Sequence, residues 1–395
     1  MSIWSDPVAF IGSWLENLLV GWGLNQALAQ ALVAVLGVVV LITALMVWDI
    51  FLVWIERKVV ARFQDRLGPN RVGPFGIIQP FADILKLITK EDITPKGAEK
   101  FLYNLAPILS LLSVLLLWAV VPLAPTILGV DLNVALVFLV AAGALGTLAI
   151  IMAGWASNNK YALLGAFRQV AAMIAYEIPM VVALLIPTIL AGTMGIKGVV
   201  DAQRVWFVVL SPLGMLIFLI SAVAELGRSP FDLNEAESEI VAGFHIEYSG
   251  MKFGLFYAGE LLHAFTFGAL IGILFFGGWK WPLPFGDRYA LIGLVNVFIK
   301  GMFFYWVIMW IRYTMMRIRI DHMLYFNWKF LTPLSFALLM VTALVHSVMR
   351  QAAYPLYVLS LFLANLLVAW ATIEILRRYS HQERLRLEGA AVQRN

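Results

Sequence analysis

The sequence predicts an all-α polytopic membrane protein, and three observations carry that reading. Of its 395 residues 62% are hydrophobic and only 13% charged, where a soluble domain carries roughly 25% charged residues. Apolar runs of about 20 residues recur along the chain, each long enough to cross roughly 30 Å of hydrocarbon at about 1.5 Å per residue. Lysine and arginine gather on alternate connections, the pattern that fixes the orientation of a multi-span chain.

Residues 1–30, with Trp4, Trp14 and Trp22, read as an interfacial segment with a short surface helix, because tryptophan favours the membrane–water boundary. No basic stretch leads into a short apolar run and a small-residue cleavage site, so no signal peptide is expected. The first span falls at about 31–55, with Asp49 in its last turns and Glu56 closing it. The stretch Gly68-Pro69-Asn70-Arg71-Val72-Gly73-Pro74-Phe75-Gly76 is dense in helix breakers and must be a loop. From Ile77 apolar residues fall at 77, 78, 81, 84, 85 and 88, opposite Gln79, Asp83, Lys86 and Lys90. That stripe is helical but too short to span. A soluble amphipathic helix has the same pattern; membrane segments on both sides favour an interfacial one.

Eight more spans are expected at 105–124, 134–154, 173–195, 206–225, 255–277, 290–312, 331–349 and 355–376, nine in all. With the N-terminus outside, segments 56–104, 155–172, 226–254, 312–330 and 377–395 face the cytoplasm and hold 22 of the 28 Lys and Arg. The N-terminus is therefore expected outside and the C-terminus in the cytoplasm. The chain 1–395 reads as a single membrane domain. Its cytoplasmic parts are a basic loop at 56–104 with the amphipathic helix, an acidic loop at 226–254 and a basic tail at 377–395.

Several chemistries are excluded. With no cysteine there is no disulfide framework, thiolate-held iron–sulfur cluster or Cys-type zinc site. Of five histidines only His263 and His346 fall inside apolar runs, without the pairs that would ligate haem. Neither a GxGxxG turn nor a GxxxxGK[ST] loop is present, so no dinucleotide or nucleotide triphosphate site is expected. The chain is expected to bind no cofactor or metal, and no nucleic acid.

The chemistry-bearing stretch is 225–260. It holds Glu225, Asp232, Glu235, Glu237, Glu239, Glu247 and Glu260 of the chain's 24 acids, between two apolar runs. Ionisable groups in or beside spans are costly and mark ion or proton paths. Ser229-Pro230-Phe231 breaks the preceding helix. Asp232 can then cap a new one with Glu235 three residues on, which places Asp232, Glu235 and Glu239 on one face. Carboxylates about 5–6 Å apart share protons, because like charge and desolvation raise their pKa values. Arg228 is the nearby counter-ion. Two readings stay open: proton handling, or an acidic helix docking a basic partner. Glu177, beside Tyr176 and before Pro179, and Lys300 are further in-span charges; Lys300 suits snorkelling, an ion pair or a path.

Four segments resemble, in sequence and in order, the family of quinone-chamber membrane subunits of proton-pumping NADH:quinone oxidoreductase, respiratory complex I. They are ERKVVARFQDRLGPNRVGPFGIIQPFADILKL (56–87), GWASNNKYALLGAFRQVAAMIAYE (154–177), AELGRSPFDLNEAESEIVAGFHIEYS (224–249) and RIRIDHMLYFNWKFLTPL (317–334). The resemblance implies a translocase subunit of an energy-transducing membrane, such as the bacterial inner membrane, without a catalytic residue or redox centre of its own. A quinone such as ubiquinone would be the substrate, with FMN and iron–sulfur clusters in partner subunits. The implied partners are the peripheral quinone-site and terminal iron–sulfur subunits, small membrane subunits, antiporter-like subunits and lipid. Quinone would enter between the spans at 31–55 and 255–277 and the interfacial helix at 77–89. Carried over by motif, the proton pathway would comprise Glu56, Asp83, Glu177, Glu225, Glu235, Glu237, Glu239, Glu247 and Glu260. Arg57, Arg62, Arg228, Phe231 and Asp232 would lie along the chamber and loop. The chain departs from the family pattern at Leu226-Gly227, where Thr-Asn is common, at Asn234 for Pro, and at His322 for Gln. The alternative is the related membrane component of an energy-converting hydrogenase or another donor:quinone complex. A stand-alone transporter would need a second copy of the acidic loop, and none is seen.

Overall fold

A computed structural model of the chain describes residues 6–232 and 240–392; these residues contain helices and no strands. Pro7–Gly21 (α1) begins where Asp6 accepts a hydrogen bond from Ala9 N at 3.0 Å and Pro7 takes the first helical position, a residue suited to it because its N–H would go unused there. Gln26–Phe63 (α2) follows, capped by Asn25. At 38 residues it is about 57 Å long and outruns the bilayer. The helix therefore does not close at Glu56 as expected; it continues through Phe63 and lifts Glu56, Arg57 and Arg62 on a rigid stalk.

The breaker-dense loop is as predicted. Gly76 has φ +78°, and a Cβ there would sit 2.2 Å from Pro69 O, so only glycine closes this turn. Gln79–Thr89 (α3) leaves Phe81, Leu85 and Ile88 exposed and turns Gln79 and Asp83 toward α2. That is the inverse of a soluble amphipathic helix and fits an apolar face laid on lipid.

Among the described residues, eight helices are long and apolar enough to cross a membrane. They are α2, Lys100–Leu117 (α4), Ala135–Ala156 (α5), Lys160–Ala191 (α6), Gly250–Leu274 (α10), Ala290–Thr314 (α11), the stretch Ile320–Met349, and the apolar part of Tyr354–Val392 (α14). Ile320–Met349 is built of Ile320–Phe326 (α12), a π-helical turn at Asn327–Leu331 and Thr332–Met349 (α13). Two boundaries differ from expectation for a shared reason: α6 starts at Lys160 and α14 runs on to Val392, because polar residues of good helix propensity extend a span beyond its apolar run. The short Ile196–Ala202 (α7) follows α6.

The ninth expected span, 206–225, is Phe207–Leu210 (α8) and the 14-residue Pro212–Glu225 (α9), broken at Ser211. Freed backbone groups are costly inside lipid and must find partners in the protein. Here Asn365 of α14 supplies them: its Nδ2 donates to Leu210 O at 3.0 Å, and Ser211 Oγ donates to its Oδ1 at 3.1 Å. The same device recurs in α6. Pro179 has no N–H for the carbonyl four residues back, Ala175 O, and Asn327 Nδ2 donates to that oxygen at 2.5 Å. Lys300, unpaired with any acid among the described residues, donates from Nζ to Phe276 O and Gly278 O at 2.7 and 2.6 Å, and Gln203 Nε2 reaches Ile273 O and Leu274 O. Lys300 is thus a cap for the end of α10. The main apolar core runs through α4, α5, α6, α9, α10 and α11.

Asn327→Ala should strip Ala175 O of its donor and cost about 1–3 kcal/mol, read as a lower apparent unfolding temperature of the purified protein. Adding Pro179→Ala, which returns a backbone N–H, should recover part of the loss.

Candidate functional site

Three helices and one connection converge on one buried cluster of charges. Glu56 of α2 accepts from Arg312 Nη1 at 2.6 Å, Tyr313 OH at 2.9 Å and Tyr305 OH at 3.2 Å, all from α11. Arg228, from the connection after α9, lies with Nη2 3.7 Å from Glu56 Oε2 and donates through Nε to Glu260 Oε1 of α10 at 3.2 Å. Arg312 also stands 4.0 Å from Glu260. The Arg228 side chain is 1% exposed and that of Glu56 5%. Burial by itself would lower the guanidinium's pKa; Glu56 and Glu260 outweigh it and hold the pKa above its ordinary value. Arg228 is therefore a fixed cation, yet Nη1 and Nη2 have no hydrogen-bond acceptor among the described residues. It is bound by charge, with donors to spare.

Three cavities run through this cluster in series. An open one of about 870 Å³ is lined by Glu56, Arg57, Arg71, Gln79, Tyr257 and Arg312. A second, of about 90 Å³, shares Tyr257 and Arg312 with the first and adds Gln169, Glu225, Asp232 and Glu260. A third, of about 20 Å³, shares Glu225 and His263 with the second and reaches Glu177. A water needs about 10–15 Å³ of such space and a few polar partners, so the second has room for several and the third for one. One oxygen each of Glu225 and Asp232 is buried without a hydrogen-bond partner among the described residues.

The remaining predicted residues divide. Arg57 and Asp83 form a short ion pair between α2 and α3, with Gln79 on the other Asp83 oxygen at 3.5 Å. Phe231 is buried against Tyr176, ring centroids 5.2 Å apart. Arg62 is exposed at the end of the stalk. Glu247 is not drawn to the cavities; its Oε1 accepts from Asn159 Nδ2 at 2.7 Å and its carbonyl from Tyr103 OH at 2.7 Å. It anchors the loop, and a Gly165–Gly243 approach that leaves no space for a Cβ does the same against α6. Glu235, Glu237 and Glu239, and the helix expected after Asp232, lie outside the described residues. Burial against Phe244 and Phe253 lowers the His245 pKa, and burial raises that of Tyr248.

Sequence reading missed Arg312, Tyr305, Tyr313, Tyr257 and His263. A signal was present: Tyr305 and Arg312 are seven residues apart and Glu260 and His263 three apart, so each pair shares a helix face. Asp49, seven residues before Glu56, is also buried, with one oxygen unpartnered. Among the described residues no group of three His, Asp or Glu is placed to hold a metal.

The family model described as NADH dehydrogenase matches residues 36–343. The chain belongs to this family. Its relatives include the H-type subunit of NADH-quinone oxidoreductase from Dehalococcoides mccartyi strain CBDB1, 45% identical over 77% of this chain and 84% of the relative. The second H-type subunit of Geobacter sulfurreducens is 44% identical over 82% and 98%, and the H-type subunit of Geobacillus kaustophilus 46% over 84% and 97%. This member of the NADH dehydrogenase family is thus a multi-pass membrane component of NADH:quinone oxidoreductase, a translocase of the bacterial inner membrane.

Two outcomes follow for this NADH dehydrogenase family site. Arg228→Met should leave Glu56 and Glu260 facing a single cation, Arg312, and destabilise the protein by about 3–5 kcal/mol, seen as loss of thermal stability that Arg228→Lys partly restores. For His245, with a pKa below the ordinary 6.5, the freed loop takes a proton that the docked loop does not. Docking is then fully stabilised above about pH 6.5 and weakens as pH falls below it. Protection factors of residues 240–249, taken relative to the intrinsic amide exchange rate at each pH, should fall on acidification, and His245→Phe should remove that dependence.

Proposed function

We propose that this chain forms the membrane side of a quinone chamber completed by peripheral-arm subunits, and that it carries the protonation changes of quinone reduction into the membrane through its acids. The observation that carries this reading is the serial arrangement of cavities, each joined to the next by ionisable residues: Arg312 at the first junction, Glu225 and His263 at the second. The largest cavity, bordered by α2 and the 66–71 loop, suits a headgroup brought to Glu56, Arg57 and Arg312. Arg57, Arg62, Arg228, Phe231 and Asp232 line or brace this region. Glu56, Asp83, Glu177, Glu225, Glu247 and Glu260, with Glu235, Glu237 and Glu239, make up the pathway; Glu247 serves it by fixing the loop.

Quinone reduction takes two electrons and two protons. The electrons come from a terminal iron–sulfur cluster in a neighbouring subunit, fed from FMN and NADH further out. This chain holds no centre of its own and contributes position and charge. Negative charge developing on the headgroup draws Arg57 from Asp83 and Arg312 from Glu56 and Glu260, and the loosened Glu56 and Glu260 become proton acceptors. Protons reach Glu260 and Glu56 from Glu225 and pass from them, two per quinone, to the headgroup oxygens, and Glu225 refills from Glu177. Moving one charge against 100 mV needs about 2.3 kcal/mol, within reach of such a rearrangement in a low-dielectric setting.

Counting α9 as a span gives nine and places the termini on opposite sides, the N-terminus outside. The single membrane domain then turns 56–104, 226–254 and the tail at 377–395 to the cytoplasm, where the peripheral arm docks. Small membrane subunits and antiporter-like subunits receive the far end of the path at Glu177.

Glu225→Gln in the assembled complex should lower proton translocation in inverted vesicles at least tenfold, while NADH oxidation by ferricyanide, which needs only the peripheral arm, stays within twofold. Full translocation in that variant removes the pathway and leaves only the anchoring role.

A further inference from the structure

His263 is the one residue besides Glu225 that lines both the second and the third cavity, and nothing in the scheme above uses it. It sits on α10 one turn after Glu260. Its ring stacks on Phe267, centroids 4.6 Å apart at 25°, so it is oriented by packing. Its neighbours Leu261, Leu262, Ala264 and Phe265 are all fully buried. An imidazole flanked by buried apolar residues borders two small cavities here, one with several polar groups and one lined mainly by apolar side chains around Glu177 and Glu225.

The charged groups that face it fall on opposite sides. Toward the second cavity are Glu260 on its own helix, Asp232 on the loop and Arg312 on α11, with the buried Arg228 acting on it through its field. Toward the third is Glu177 on α6, and Glu225 on α9 borders both. Glu260 and Glu177 share no cavity, so among the carboxylates Glu225 alone joins the two, and its Oε2 has no hydrogen-bond partner among the described residues.

We propose, resting on the pathway reading above, that His263 is a proton-transferring residue that works beside Glu225 at the junction of the two cavities. The ring accepts a proton on one nitrogen from the third-cavity side, becomes the imidazolium, and releases the proton on its other nitrogen to an acid of the second cavity. Charge and atoms balance: one proton enters, one leaves, and a neutral ring in the other tautomer remains. Because Phe267 holds the ring plane, the reset is a half-turn about the Cβ–Cγ bond that keeps the plane on the stack and carries the protonated nitrogen away from the third cavity. Arg228 limits how long the imidazolium lasts, since two cations within one low-dielectric site repel. The arrangement therefore favours brief occupancy of the cation over storage, as a relay requires.

The test uses the assembled complex in inverted membrane vesicles. His263→Phe keeps an aromatic ring on Phe267 and removes both nitrogens. It should cut proton translocation at least fivefold while ferricyanide-linked NADH oxidation stays within twofold. His263→Ala, which opens space beside Glu225, should regain at least a third of the lost translocation on addition of imidazole at near-neutral pH, a rescue that a packing role would not give. Full translocation by His263→Phe, alongside loss in Glu225→Gln, overturns the assignment of His263 and leaves the carboxylate path standing. Full translocation by Glu225→Gln overturns the path itself, whatever His263 does.

Discussion

Burying a guanidinium takes several kcal/mol of hydration from it, and the position of Arg228 can be held only by carboxylates brought close enough to return that energy. Glu56 and Glu260 do so from two different spans, and Arg312 with its flanking tyrosines completes the shell around Glu56 from a third. The cluster thereby ties α2, α10 and α11 together at one depth. It also sets the local field: two cations and two acids in near balance, so that a single charge arriving in the adjoining open cavity changes every member's surroundings. Glu225 and one oxygen of Asp232 are buried on the far side of that cluster, where the effect reaches them through its field.

Irregular backbone next to the acids obeys the same constraint. Pro179 leaves one carbonyl of the continuous α6 without its backbone N–H beside Glu177, and the chain breaks at Ser211 before the helix that ends at Glu225; in each place a carbonyl is met by an asparagine side chain from a neighbouring span. Lipid would not tolerate these carbonyls unsatisfied. Lys300 and Gln203 perform the matching task at the far end of α10, so the helix that carries Glu260 and His263 is fixed at both ends.

Much of this is legible in the chain. Span positions follow from run length and hydropathy, and the interfacial character of α3 from a stripe too short to cross. The acids of 225–260 declare themselves by crowding. What is not legible has physical reasons. Helix ends drift because Lys160 and the basic tail are good helix formers that continue a span past its apolar run. Glu247 cannot be told from its neighbours, since only the fold brings Asn159 across to claim it. Arg312 reads in sequence as one of the cations that orient the chain; its pairing with Glu56 joins residues 256 positions apart, and no local pattern reveals such a contact. His263 reads as a packing residue, because its two cavities exist only once α6, α9 and α10 have assembled.

The central claim is that redox change in the open cavity alters the protonation of acids beyond the Arg228 cluster. Infrared difference spectroscopy of the assembled complex, recorded between oxidised and reduced quinone with carbon-13 labelled glutamate, reads those carboxyl groups directly. A carboxylic-acid band that shifts with the label, responds to quinone reduction and disappears in Glu225→Gln is the predicted result. A difference spectrum without any glutamate carboxyl change, or with the same change in Glu225→Gln, contradicts the account.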